Sequence, residues 1–282
     1  MLFQPTQNRW LRLFLIVCFV FNGCASHSSF SPKIRNFSTD EEALGTDIHQ
    51  QMMSSFYLYT EPTAVAYVNE VSSRLIHEVP EGRQSHYEVY LLHNEKIYAK
   101  SAPGGYIYIT TGMVNFLENE AELAAIIAKE IGVLQFQKPE LNENKKMLDQ
   151  SAQTIAGIAP VFGIFGLLVT LAVAVGHPML SKKLAPEDID RLISDELAMK
   201  YMVAAGYDPQ GFIDVMHRFV QSDQALRPYF HDYYMTNPIT EERFIQMNEV
   251  FSKLPLANQS LVVNYEQFMA KTHGIREIYR VA

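Results

Sequence analysis

Histidine and cysteine are the residues in this chain best suited to hold a metal or accept a covalent modification, and both are sparse, with nine histidines and two cysteines. A zinc-binding helix usually presents two histidines four positions apart, so that both neutral imidazoles face one ion. No two of His27, His49, His77, His86, His93, His177, His217, His231 and His273 have that spacing. The cysteines point to a different chemistry. Arg9 and Arg12 precede the apolar run 13–21, no acidic residue lies nearby, and the small residues Gly23, Cys24, Ala25 and Ser26 follow. That order is the layout of a secretory signal peptide, and the run is short for a membrane span. Gly23-Cys24 resembles a bacterial lipobox, in which the cysteine is lipidated and becomes the first mature residue, although Phe21 and Asn22 depart from the usual pattern. Cleavage near Ala25, with no role for Cys24, is the alternative. Processing at Cys24 removes Cys18 and leaves no cysteine pair, so the fold must rest on its core.

The elements that would position any site come from an ordinary globular composition. The 282 residues are 48% hydrophobic and 19% charged, enough for one sizeable core. A net charge of -8 argues against a nucleic-acid-binding face, and no repeat of fixed period is present. The boundaries read as a lipoprotein-type signal peptide over 1–23, a tether over 24–38, a main domain over 39–256 and a C-terminal helical tail over 257–282.

Thr39-Asp40-Glu41-Glu42 opens a helix with a capping residue and an acidic first turn. A second helix follows Pro62, with Val65, Val68, Val71, Leu75 and Ile76 at helical spacing. From His86 the pattern alternates through Tyr87, Val89 and Leu91, turns at Pro103-Gly104-Gly105, and alternates again over 106–111, which predicts a small antiparallel sheet. Asn119 and Glu122 predict the capped start of an apolar helix running from Ala121 to Gln135. Thr240 to Leu254 reads as an amphipathic helix and Tyr265 to Tyr279 as a last helix packed on the body. Val161 to Val175 is apolar apart from glycines and Thr170; at fifteen residues it fits a buried helix better than a membrane span.

Four ordered blocks carry a resemblance. Pro103-Gly104-Gly105-Tyr106-Ile107-Tyr108-Ile109-Thr110-Thr111-Gly112, the run 118–125, Ala204-Ala205-Gly206-Tyr207-Asp208-Pro209 and the run 236–243 are similar to blocks of the gluzincin metallopeptidase family of the CAAX prenyl protease, HtpX and BepA type, peptidase family M forty-eight. The resemblance covers about Asp40 to Phe251 and implies an α+β fold: a mostly helical gluzincin-like domain with a small antiparallel sheet beside the active-site helix. Integral-membrane relatives carry spans near 161–175, so a membrane-dipping segment there stays open.

The family's helix carries His-Glu-x-x-His, whose histidines bind zinc while the glutamate activates a zinc-bound water. The aligned residues here are Lys129-Glu130-Ile131-Gly132-Val133. The third ligand position, four residues before Asp195, is Arg191. A protonated lysine, a valine and a permanently cationic guanidinium are not zinc ligands. The resemblance therefore implies that Glu130 is vestigial, that no metal is held, and that no cofactor is needed. The expectation is that Lys129 and Arg191 pair with Glu130 and Asp195 where zinc once tied the helices, or else that Lys129 points to solvent.

Other blocks are altered too. Asn237 stands where the family has a histidine, and Tyr98-Ala99-Lys100-Ser101 replaces Asn-Ala-Phe-Ala on the strand that lines the cleft. An edge strand still accepts an extended peptide without zinc; Tyr106 and Tyr108 are candidates to line that groove, with plain packing as the alternative. The expected protein is a catalytically inactive, lipid-anchored pseudopeptidase on the periplasmic face of the outer membrane, since Ala25 follows the cysteine. Its expected partners are the membrane, unfolded or outer-membrane client proteins, or an active paralogous protease. Two other readings stand beside it: a zinc endopeptidase using Glu130, Asp195, Glu196 and Asn237, and a purely structural envelope lipoprotein.

Overall fold

The computed structural model describes residues 37–80, 87–136, 186–222, 229, 233, 238–256 and 260–280, all within the unit Ile34–Ala282. The signal peptide, Cys24, nearly all of the tether, the apolar run 161–175 and Asn237 lie outside the described residues.

Two helices lead into a three-stranded sheet. Helix α1 spans Thr39–Ser55 and begins one residue earlier than its acidic turn implies: Ser38 is the cap, its Oγ accepting from Glu41 N (3.2 Å) while Glu41 returns a carboxylate to Ser38 N (2.8 Å). Helix α2 spans Pro62–His77, with Pro62 at its first turn and Glu61 capping the N–H groups of Thr63 and Ala64. Strands β1 (Glu88–Leu92), β2 (Ala99–Ala102) and β3 (Tyr106–Thr110) follow, in spatial order β1-β3-β2.

The α+β class holds, but the sheet is mixed. β2 runs antiparallel to β3, whereas β1 runs parallel to it, Tyr90 facing Tyr108. β2 is the return strand in the chain, yet it docks on the far side of β3, so β1 and β3 meet in the same direction. Alternation in a sequence marks a strand and its buried face without naming the neighbour. The turn at Pro103–Gly105 is a single 3-10 turn with Gly104 at φ 79°, and α1 presses on it: a Cβ at Gly45 would lie 1.9 Å from the Pro103 carbonyl oxygen.

Helix α3 (Thr111–Phe116) leads to α4 (Glu120–Phe136), the central helix. From Ala121 to Gly132 every residue of α4 is buried, so this helix is covered on all sides. Helix α5 (Pro186–Ala204) makes the most extensive helix–helix contact, against α4, and Gly132 permits it, since a Cβ there would stand 2.5 Å from the Ser194 carbonyl oxygen. Helix α6 (Gln210–Gln221) packs on α4 and helix α7 (Glu241–Ser252) on α5, with Thr240 capping α7.

The expected last helix is two, α8 (Tyr265–Lys271) and α9 (His273–Arg280). They divide at Thr272, whose backbone leaves the helical region at φ -101° and ψ 9°, while its N–H (3.0 Å) and hydroxyl (2.7 Å) both donate to the Phe268 carbonyl. This region is tied into the body: Arg276 donates to the Leu117 carbonyl (2.7 Å), and Tyr279 bonds Thr111 and the Asn94 carbonyl.

On the sheet face that meets α1, His49 lies between Tyr90 and Tyr106, ring centres 4.6 Å from each, and Nδ1 shares a 3.1 Å hydrogen bond with the Tyr108 hydroxyl. Desolvation holds the imidazole below its usual pKa, and Glu88 opposes that shift. The unfolded chain therefore takes up the proton first. The stabilising contribution is complete above the ordinary histidine pKa of about 6.5 and is lost as pH falls below it. Thermal unfolding should drop further between about pH 7.5 and about pH 5.5 in the wild type than in His49→Gln; equal drops would show that His49 is not the titrating group.

Candidate functional site

The two residues on α4 that follow its apolar run, Lys129 and Glu130, are both buried, 2% and 1% exposed. A lone buried charge is very costly, so each needs a partner. Lys129 Nζ donates to Glu130 Oε1 at 3.1 Å and lies 5.5 Å from the centre of the Tyr233 ring. The other oxygen, Oε2, accepts from both Ser101 N and Ser101 Oγ, each at 2.9 Å. The whole Glu130 carboxylate is thus committed to Lys129 and to β2.

Asp195 on α5 is also buried, and Arg243 on α7 takes it in a two-pronged grip, Nε to Oδ2 at 2.7 Å and Nη2 to Oδ1 at 2.9 Å. Arg243 Nη1 also donates to the Pro238 carbonyl (2.9 Å). Of the two expected ion pairs, Lys129–Glu130 is present, while the Asp195 carboxylate goes to Arg243. The four-residue spacing of Arg191 and Asp195 favours a local pair, but the bidentate geometry of Arg243 takes both Asp195 oxygens. Arg191 is half-buried, as is Val133.

Lys100 on β2 joins this electrostatic neighbourhood. Desolvation pushes its ammonium below the ordinary lysine pKa; Glu130 opposes this, whereas Lys129 and Arg191 add to it. Glu196, one position along α5 from Asp195, pairs instead with Lys200 (2.6 Å). The carboxylates of the atypical oxygen-rich set are therefore each bonded to a separate cation, and among the described residues no three His, Cys, Asp or Glu side chains gather as a metal-binding group.

The edge of β2 is part of the same arrangement. Thr110 N donates to the Tyr98 carbonyl, which sets the phase of the ladder: 98, 100 and 102 face β3, and 97, 99 and 101 turn their N–H groups outward. Ile97 N meets the Tyr229 carbonyl (2.8 Å), and Ser101 N meets Glu130. Two of the three outward donors are thus taken. The register puts Tyr106 and Tyr108 on the face opposite Ser101, gathered around His49; Tyr108 is fully buried and Tyr106 half-buried.

The sequence pattern of Peptidase family M48 matches residues 62–250, two-thirds of the chain, across the sheet, α4, α5 and α7. The chain belongs to peptidase family M48. It is similar to the beta-barrel assembly-enhancing protease of Yersinia pestis, 26% identical over 218 residues that make up 73% of this chain and 43% of that protein. The protein of the same name from Escherichia coli K12 is 22% identical over 234 residues, 78% of this chain and 46% of that protein. The chain thus spans less than half the length of these relatives.

The zinc that M48 membership implies does not fit the residues present. Positions 129, 133 and 191 offer an ammonium bonded to Glu130, a side chain with no lone pair, and a guanidinium. No metal-dependent step follows from such a donor set. Ser101, Arg243 and Tyr233 are site residues that sequence reasoning did not single out. Ser101 left a signal, a hydroxyl where the family strand has alanine, and Arg243 lies at the end of a recognised block. Tyr233 left none.

Proposed function

We propose that this M48 member is a catalytically inactive envelope lipoprotein, anchored through Cys24 at the periplasmic face of the outer membrane, that binds unfolded or membrane-protein clients or regulates an active protease. The observation that carries this reading is the Glu130 carboxylate. The family's catalytic base must face a metal-bound water, but here its oxygens face an ammonium, a backbone N–H and a hydroxyl. A base so engaged has no water to activate. The names of the relatives, which refer to β-barrel assembly, support clients of that kind. No described helix is long and apolar enough to cross a membrane, and a lipid anchor would supply the attachment without one.

The test is to dilute a urea-unfolded outer-membrane β-barrel protein into buffer with and without the purified chain. Reduced light scattering with the client intact is the expected result. Unchanged scattering would remove client binding. Fragments that disappear with chelator would instead favour an endopeptidase.

A further inference from the structure

We propose that Lys100 and Arg191 flank a phosphate-binding site beside the Lys129–Glu130 pair, so that the centre where the family holds a cation takes an anion in this chain. The proposal rests on the reading that this centre is free of zinc.

Three cations from three elements gather around one carboxylate. Ser101 N is an outward donor in the plane of the sheet and bonds Glu130 at 2.9 Å, so Glu130 lies off the edge of β2, within reach of a long side chain from the neighbouring Lys100. Lys129 on α4 donates to the same carboxylate at 3.1 Å. Arg191 comes from α5, one turn before Ser194, where that helix meets Gly132 of α4, itself one turn beyond Lys129. Lys129 and Glu130 are buried, whereas Lys100 and Arg191 are half-buried and keep surface open to solvent.

The charges do not balance at Lys100. Glu130 commits one oxygen to Lys129 and the other to Ser101, and Arg243 takes both oxygens of Asp195. Among the described residues Lys100 forms no ion pair, and Lys129 and Arg191 both stand close enough to disfavour its charge. A partly desolvated cation beside two others is stabilised by an anion that reaches it from solvent. Such an anion displaces nothing: Lys129–Glu130 stays closed and Asp195 stays clamped. Phosphate suits this place better than a carboxylate, because its oxygens point in several directions and it carries more than a single negative charge. A guanidinium grips two of those oxygens while a lysine supplies a point charge.

The test titrates sodium phosphate calorimetrically into the full chain, in zwitterionic buffer with chelator, against sodium chloride at equal ionic strength. Dihexanoyl phosphatidic acid below its micellar concentration presents the same group on a lipid. Saturable phosphate binding and a raised Tm are expected. Lys100→Gln and Arg191→Gln should each weaken binding at least about tenfold, whereas Lys100→Arg should retain it. Without phosphate, Lys100→Gln should melt no lower than the wild type, which separates a lost site from a lost fold. Tighter Lys100-dependent binding of the lipid would identify a headgroup as the ligand, and equal binding the free ion. No saturation beyond the chloride control, or equal affinity in the wild type and Lys100→Gln, overturns the proposal and leaves the zinc-free reading standing. Phosphate binding that appears only when chelator is omitted and zinc added overturns both.

Discussion

Arg243→Ala should lower folding stability by about 3–5 kcal/mol, the cost of leaving one member of a buried ion pair without its partner. The substitution leaves both oxygens of Asp195, 2% exposed, without their clamp, and the Pro238 carbonyl without its donor. For a chain of this size that corresponds to a fall in Tm of roughly 6–20 °C. Arg191→Ala is the informative comparison, because it leaves the Asp195–Arg243 clamp intact and should cost less. A larger loss at Arg191 than at Arg243 would mean that the α5–α7 clamp does not hold this region together. Lys129→Met combined with Glu130→Gln should cost less than Lys129→Met alone, since the double change removes both buried charges while the introduced amide oxygen still accepts from Ser101.

Gly132→Ala is the second substitution with a large expected effect, a loss of about 1–3 kcal/mol from overpacking. Its methyl would stand 2.5 Å from the Ser194 carbonyl oxygen, a backbone atom of α5. The collision cannot be relieved by turning a side chain, so α4 and α5 must separate. They carry Glu130 and Asp195 respectively, so the same change should also disturb the site. Chemical denaturation of Gly132→Ala beside Gly206→Ala separates contact from backbone conformation. Gly206 has a positive φ and no atom within 4 Å of a built Cβ, so its cost comes from φ alone. A fully stable Gly132→Ala would require the helices to lie farther apart than described.

Much of the fold was legible because its signals are local. The Pro62 start of α2, the apolar run of α4 and the Thr240 cap of α7 each follow from residues within a few positions. What escaped was long-range. The parallel pairing of β1 with β3 depends on which side of β3 the return strand docks, and alternation is blind to that. The break at Thr272 is a backbone turn at φ -101° and ψ 9°, and no glycine or proline at that position announces it. At the site, the Lys129–Glu130 pair was readable, two opposite charges side by side on the apolar helix α4. The partner of Asp195 was not, because Arg243 lies 48 positions away and only the packing of α7 on α5 brings it there. The role of Ser101 was hidden for the same reason: it depends on β2 being the edge strand beside α4.

The central claim is that an M48 fold here carries a protein-built ion pair in place of a metal centre. The most direct measurement is elemental analysis of the full chain, purified without chelator, alongside its action on unfolded casein. The account predicts zinc well below one ion per chain and intact casein. One zinc per chain with chelator-sensitive cleavage would contradict it and would require the ligands to be located afresh.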